Sequence, residues 1–129
     1  MKVFIGVGSN DERKQWHVDC AMKFLSALLD EFRSSSYYTT PAINGLDADY
    51  LNAVVYGYTP LSAEELVMEL KSYEQQCGRV KGHASGAPVV IDLDLVIADQ
   101  HVLRPNDMAR DYFLRGYEEL LDGNCQAPS

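Results

Sequence analysis

The sequence has few cysteines, and their spacing fits neither metal ligands nor a disulfide framework. Only three of the 129 residues are cysteines, Cys20, Cys77 and Cys125, and no Cys-x-x-Cys pair occurs. An odd number of widely spaced cysteines predicts free thiols in a reducing compartment. The three histidines are scattered as well, so the sequence contains no zinc-binding pattern.

Long apolar runs and an excess of basic residues are also missing. No run approaches the ~20 apolar residues of a membrane span, and the opening run at residues 3–7 is too short for the apolar region of a signal peptide. We therefore expect a soluble, cytoplasmic protein. The net charge of -8 argues against nucleic-acid and anionic-membrane partners, so a phosphate site would need local cations.

The composition is that of one globular domain. Hydrophobic residues make up 47% of the chain and charged residues 23%, which are ordinary values for a folded protein. A chain of 129 residues is long enough for one core but not for two. We expect a single domain over residues 1–129, and the sequence leaves its oligomeric state open.

The strongest strand candidate runs from Val89 to Ile97 and reads Val-Val-Ile-Asp-Leu-Asp-Leu-Val-Ile. Alternation along a strand puts Asp92 and Asp94 on one face, with β-carbons roughly 6–7 Å apart. At an effective dielectric of about 20, two carboxylates at this distance repel by about 2–3 kcal/mol. A divalent cation such as Mg²⁺ would offset the repulsion and recruit phosphate oxygens as further ligands. An ordinary strand with a solvated face fits the same residues, since Asp-x-Asp is a common string.

Hydrophobic periodicity and turn signals predict the remaining elements. The string Ser62-Ala-Glu-Glu65 is a capping box and marks the start of a helix that Gly78 ends. The resulting order β-α-β-β-α-β-α predicts an α+β sandwich of the ferredoxin-like kind, with a mainly antiparallel sheet and helices packed on it. The other predicted strands are residues 3–7, 34–40 and 50–58, and the other predicted helices are residues 11–32 and 105–121.

Two further features mark candidate ligand contacts. Tyr50 and Asn52 share one face of their strand, and a flat ring beside an amide that both donates and accepts suits a flat heterocycle. An ordinary half-exposed strand would carry the same pair. The locally basic stretch 79–88 contains several small residues and predicts a mobile loop beside the aspartate strand, either a lid or a merely exposed connection.

Five separated strings occur in one order along the chain: Ile5-Gly-Val-Gly-Ser-Asn10, Tyr38-Thr-Thr-Pro41, Asp49-Tyr-Leu-Asn-Ala53, Glu74-x-x-x-Gly-Arg79 and Pro88-x-x-Ile-Asp-Leu-Asp94. In this order and spacing they resemble the 6-hydroxymethyl-7,8-dihydropterin pyrophosphokinases, enzymes of the folate pathway. The resemblance runs from the first strand to about Phe113. It implies transfer of diphosphate from ATP to the hydroxymethyl group of the dihydropterin, with release of AMP.

The resemblance also implies a role for each matching residue. Asp92 and Asp94 would be the catalytic carboxylates, holding two Mg²⁺ ions between ATP and the hydroxymethyl oxygen of the pterin. The nucleotide would contact Glu74. The implied pterin contacts are Tyr50 and Phe113 on the faces of the ring, Thr40 and Asn52 at its polar edge, and the backbone of Pro41 and Ile43.

The sequence departs from the family pattern where the family binds phosphate. In the family, the loop before the aspartate strand carries several arginines, whereas this loop offers Lys81 and His83. Near the last helix a family histidine and arginine align with Asn106 and Asp111, and a shift of one residue would give the latter role to Arg110. The family's C-terminal extension is largely missing, so we expect a shortened member. The cations that remain for a nucleotide are Arg79, Lys81, Arg104, Arg110 and Arg115.

Three hypotheses about function stay open at this point. The first is a working Mg²⁺-dependent pterin pyrophosphokinase that takes a small-molecule pterin and ATP. The second is a catalytically impaired relative that binds a pterin-like or nucleotide ligand as a regulatory or scaffold protein. The third is a structural adapter in which both aspartates are merely solvated.

Overall fold

The computed structural model of the protein describes residues 1–42, 45, 47–78 and 88–123. Within these ranges the strands and helices alternate much as the periodicity predicts. The strands are β1 (Lys2–Ser9), β2 (Asp30–Ser34), β3 (Tyr38–Thr40), β4 (Tyr50–Tyr58), β5 (Asp92–Ala98) and β6 (His101–Val102). The helices are α1 (Lys14–Leu28), α2 (Ala63–Gln76), α3 (Pro105–Met108) and α4 (Asp111–Leu121).

The described strands form one sheet in the order β2-β4-β1-β5-β6, with β3 paired to β4 beyond this path. All of these pairings are antiparallel. The register aligns Gly8 of β1 with Asn52 of β4 on one side and with Asp92 of β5 on the other. Side chains from three neighbouring strands therefore meet at one end of the sheet.

The core lies on both faces of the sheet because the strands alternate apolar side chains between them. Val3, Ile5 and Val7 pack with buried residues of α1 and α2. On the opposite face, Phe4 packs with Phe113 and other buried residues of the α4 layer. This arrangement confirms the α+β, ferredoxin-like prediction, with α4 as an additional layer on the second face.

Helix α4 approaches the sheet closely at Gly116. A β-carbon at this position would lie 2.6 Å from Cγ2 of Val54 and 2.9 Å from the hydroxyl oxygen of Tyr38. These separations are shorter than van der Waals contact, so only glycine fits here without rearrangement. The close approach brings the start of α4, including Phe113, over the end of the sheet.

Several predicted boundaries are wrong. The first helix ends at Leu28, and Phe32 belongs to strand β2 although it continues the helical spacing. The strand predicted at residues 34–40 is divided between the end of β2 and β3, and strand β5 begins only at Asp92. The last predicted helix is divided into α3 and α4.

Other local predictions are confirmed. Strand β4 has the predicted bounds, and the capping box at the start of α2 is formed in both directions between Ser62 and Glu65. Gly78 follows α2 with a φ of 94°, the left-handed conformation in which glycine ends a helix. Among the helices of the described ranges, none combines the length and apolar character that a membrane crossing requires.

Candidate functional site

A cavity of about 410 Å³ opens on the α4 side of the sheet, at the end where β1, β4 and β5 align. The walls come from these strands, from the segment after β3, and from the segment leading into α4. The described lining residues are Gly6, Val7, Gly8, Thr40, Pro41, Ala42, Asp47, Tyr50, Asn52, Asp92, Asp94, Val96, Arg104, Asp107, Tyr112 and Phe113.

Asp92 and Asp94 form the acidic wall of the cavity. Their partners across the β1–β5 ladder are Gly8 and Gly6. A β-carbon at Gly8 would lie 3.3 Å from Oδ1 of Asn52, and one at Gly6 would lie 3.4 Å from Cδ1 of Phe113. Burial, the charge of Asp92 and a hydrogen bond with Asp92 raise the pKa of Asp94 to about 7, although two nearby cations act in the opposite direction. The charge of one aspartate thus acts on the other, as expected for two carboxylates on the same strand face.

Two cationic side chains offset part of the repulsion between these acids. Nζ of Lys71 lies 3.2 Å from Oδ1 of Asp94, and Nη1 of Arg104 lies 3.7 Å from the same oxygen. Burial lowers the pKa of Lys71, but the carboxylates around it outweigh this effect and raise the pKa overall. The pattern of the strand predicted only a metal ion or solvent as the offset, and it gave no sign of Lys71.

The acidic pair fits a divalent cation that draws its other ligands from outside the protein. Within the described ranges, no group of three or more Asp, Glu, His or Cys side chains is arranged to hold a metal ion. A closed all-protein site is therefore not formed by this part of the chain. Mg²⁺ commonly binds through one or two carboxylates and completes its shell with water and substrate phosphates. Asp92 and Asp94 would be the protein ligands of such a site.

The side chains predicted to contact the pterin line the same cavity. Tyr50 and Phe113 both belong to the lining, and so do Thr40, Pro41 and Asn52. Asn52 is buried, and its Nδ2 donates a hydrogen bond of 2.7 Å to Oγ1 of Thr40. Because this bond orients the amide, the two residues predicted for the polar edge of the ligand form one unit. Ile43, the remaining predicted contact, lies outside the described residues.

A third group of lining residues is centred on Asp107, which was not assigned from the sequence, and includes Arg104, one of the five candidate cations. The buried carboxylate of Asp107 accepts hydrogen bonds from Nε of Arg104 and from the hydroxyl of Tyr112, the latter at 2.5 Å. The hydrogen bond to Asp107 raises the pKa of Arg104, and burial together with Asp107 raises the pKa of Tyr112. The local signal was the i, i+3 spacing of Arg104 and Asp107 around Pro105, which fits a short helical turn.

None of the predicted nucleotide contacts belongs to the described lining of the cavity. Glu74 is buried below the edge of β5, where its Oε2 accepts a hydrogen bond of 2.6 Å from the backbone N–H of Leu93. It is absent from the described cavity lining, as is the exposed Arg110, which precedes α4. Arg79 and Lys81 lie outside the described residues. The nucleotide roles of these four residues stay predictions.

Comparisons with known proteins point to one family. Residues 4–122 match the family model described as 7,8-dihydro-6-hydroxymethylpterin-pyrophosphokinase. The chain is 28% identical over 103 residues to a 2-amino-4-hydroxy-6-hydroxymethyldihydropteridine pyrophosphokinase of Aquifex aeolicus (strain VF5), a match that covers 79% of this chain and 64% of that protein. It is also 28% identical over 102 residues to a folate synthesis bifunctional protein of Arabidopsis thaliana, covering 78% of this chain and 21% of the relative. The chain thus spans less than two thirds of the length of either relative.

Proposed function

Because the chain belongs to the 7,8-dihydro-6-hydroxymethylpterin-pyrophosphokinase family, we propose that it transfers diphosphate from ATP to the hydroxymethyl group of 6-hydroxymethyl-7,8-dihydropterin. The products are AMP and the diphosphate ester of the pterin, and the reaction depends on Mg²⁺. One observation carries the proposal beyond family membership. The adjacent carboxylates of Asp92 and Asp94 line the same cavity as Tyr50 and Asn52.

In this proposal the pterin enters the cavity between the rings of Tyr50 and Phe113. The unit formed by Asn52 and Thr40 meets the polar edge of the heterocycle, because an amide and a hydroxyl offer both donors and acceptors. Burial of these groups excludes water from the ring and fixes its orientation. The hydroxymethyl group then faces the acidic wall.

Asp92 and Asp94 would hold Mg²⁺ in the proposed reaction. When bound, Mg²⁺ supplies charge neutralisation and a template for phosphate oxygens. The two carboxylates would contribute its protein ligands, on the wall of the cavity that Gly6 and Gly8 also line. In phosphoryl transfer the protein takes little part in the covalent chemistry, because positioning and electrostatic stabilisation account for most of the rate enhancement.

An assay of AMP release tests the proposal directly. The protein is incubated with ATP, Mg²⁺ and 6-hydroxymethyl-7,8-dihydropterin, and AMP is quantified against a reaction without the pterin. We expect AMP to form only when all three are present, and to stop on addition of EDTA. No AMP above the pterin-free background would overturn the proposal and leave a ligand-binding relative as the better description. The proposal keeps the cytoplasmic location expected from the free cysteines and the missing apolar runs.

A further inference from the structure

We propose that Arg104 binds the phosphate groups of the diphosphate donor, and that Asp107 is the positioning residue that holds its guanidinium at the cavity. The inference rests on the proposed function for the identity of the donor. It concerns a cation outside the loop where the family pattern carries its arginines.

The charge of the cavity wall is the first argument. Four carboxylates, those of Asp47, Asp92, Asp94 and Asp107, belong to the described lining, whereas Arg104 is the single cation in that described set. These four carboxylates repel a polyphosphate that enters the cavity. A magnesium ion can neutralise the acidic pair and bridge it to phosphate, but the outer phosphate oxygens still need donors of positive charge.

The geometry of the guanidinium is the second argument. Nε of Arg104 donates to Asp107, so one side of the planar group is fixed. Nη1 lies 3.7 Å from Oδ1 of Asp94, which is an ion-pair distance but longer than a hydrogen bond. The Nη end is thus beside the acidic pair, where phosphates bound to its metal ion would lie. A guanidinium anchored through Nε still presents a fork of donors that matches phosphate oxygens.

Asp107, which anchors Arg104, is buried and accepts two side-chain hydrogen bonds. Asp107 is 8% exposed, and its second oxygen accepts the hydroxyl of Tyr112. The side chain of Arg104 is 48% exposed, so it is accessible to a ligand. Because Asp107 is buried, loss of this pair also costs stability, so the stability of each variant is measured beside its binding to separate the two effects.

Binding of Mg²⁺-pyrophosphate and of a nonhydrolysable ATP analogue with Mg²⁺, measured by calorimetry, tests the assignment. For Arg104→Gln we expect the Kd of both ligands to rise about 10- to 100-fold, the range for loss of a charge-assisted hydrogen bond. The Kd of the dihydropterin should stay unchanged. Arg104→Lys should give an intermediate loss, because an ammonium keeps the charge but not the fork. Arg33→Gln, on the opposite edge strand β2, is the charge-matched control.

The role of Asp107 is tested by kinetics and by a double variant. Asp107→Asn should raise the KM for ATP with a smaller change in kcat and no change in the KM for the pterin. In the Arg104→Gln background the same substitution should have no further effect on pyrophosphate binding. A general loss of packing around Asp107 would instead affect both substrates and add to the effect of Arg104→Gln.

The outcomes separate this inference from the proposed function. If the wild type releases AMP and Arg104→Gln binds both phosphate ligands normally, the assignment of Arg104 is overturned while the activity stands. If the wild type releases no AMP but its pyrophosphate binding depends on Arg104, the phosphate site stands and the proposed function falls. Wild-type protein that binds neither phosphate ligand overturns the assignment.

Discussion

The carboxylate of Glu74 on α2 accepts a hydrogen bond of 2.6 Å from the backbone N–H of Leu93, the residue between the two site aspartates. Lys71, one turn earlier, donates to the carbonyl of Leu93 at 3.0 Å. Two helix side chains thus cover the edge of β5 at Leu93, where its backbone groups would otherwise have to be solvated. This cover fixes the backbone that carries Asp92 and Asp94.

Glu74→Ala is therefore expected to lower the free energy of unfolding by about 1–3 kcal/mol, because a buried N–H loses its acceptor. Glu74→Gln should cost less, since its amide oxygen can still accept. Glu69→Ala, on the exposed side of α2, is the control and should change stability by less than about 0.5 kcal/mol. Urea unfolding measures all three. Equal stability of Glu74→Ala and Glu69→Ala would contradict a structural role and favour the predicted nucleotide contact.

Removal of one site carboxylate should uncouple nucleotide binding from magnesium. We expect Asp92→Asn to reduce AMP release by roughly 100-fold or more, since a metal ion supplies several kcal/mol and each ~1.4 kcal/mol is a factor of ten. A titration of nucleotide binding against Mg²⁺ measures the coupling independently of turnover. Asp99→Asn is the control, because Asp99 follows the same strand with a φ of 53°, a conformation that asparagine adopts. Wild-type magnesium dependence in Asp92→Asn would exclude Asp92 as a ligand.

The sequence predicts those parts of the molecule that depend on local pattern. The bounds of β4, the capping box at Ser62 and the shared face of Asp92 and Asp94 follow from spacing alone, and they are present. The end of α1 was missed because Phe32 continues the helical spacing of Phe24 and Leu28. The chain instead leaves the helix through the extended backbone of Leu29 and the positive φ of Glu31. No glycine or proline occurs there to indicate a turn in the sequence.

The ion pairs of Asp94 could not be predicted from the sequence for a different reason. Lys71 and Asp94 are 23 positions apart, and their contact exists only because α2 packs against β5. Arg104 directly precedes α3, and its guanidinium lies beside Asp94 of β5. Ion pairs between separate elements leave no periodic signal, so Arg104 could be named only within a set of candidates and Lys71 was not named at all.

Gly116→Ala should destabilise the protein, although alanine normally favours a helix over glycine by about 1 kcal/mol. The new β-carbon would lie 2.6 Å from Cγ2 of Val54, so α4 must shift away from the sheet, at a cost of about 1–3 kcal/mol for overpacking. Gly6→Ala is the comparison, because its nearest contact would be an ordinary 3.4 Å from Phe113. Chemical denaturation of both variants gives the difference. A Gly116→Ala protein more stable than the wild type would show that α4 can move freely.

The capping box of α2 predicts a pH-dependent contribution to stability. Hydrogen bonds with the backbone and side chain of Ser62 lower the pKa of Glu65 in the folded state. Between this lowered pKa and the ordinary glutamate value of about 4.3, the unfolded chain binds more protons than the folded one. The stabilisation is thus complete above the ordinary value and is lost as the pH falls through the folded-state pKa. Glu65→Gln should therefore lower the thermal midpoint at about pH 7 and approach the wild type as the pH falls below the folded-state pKa of Glu65. Glu64→Gln, in the same first turn, is the control, and a stability difference for Glu65→Gln that is independent of pH would rule out the charged capping interaction.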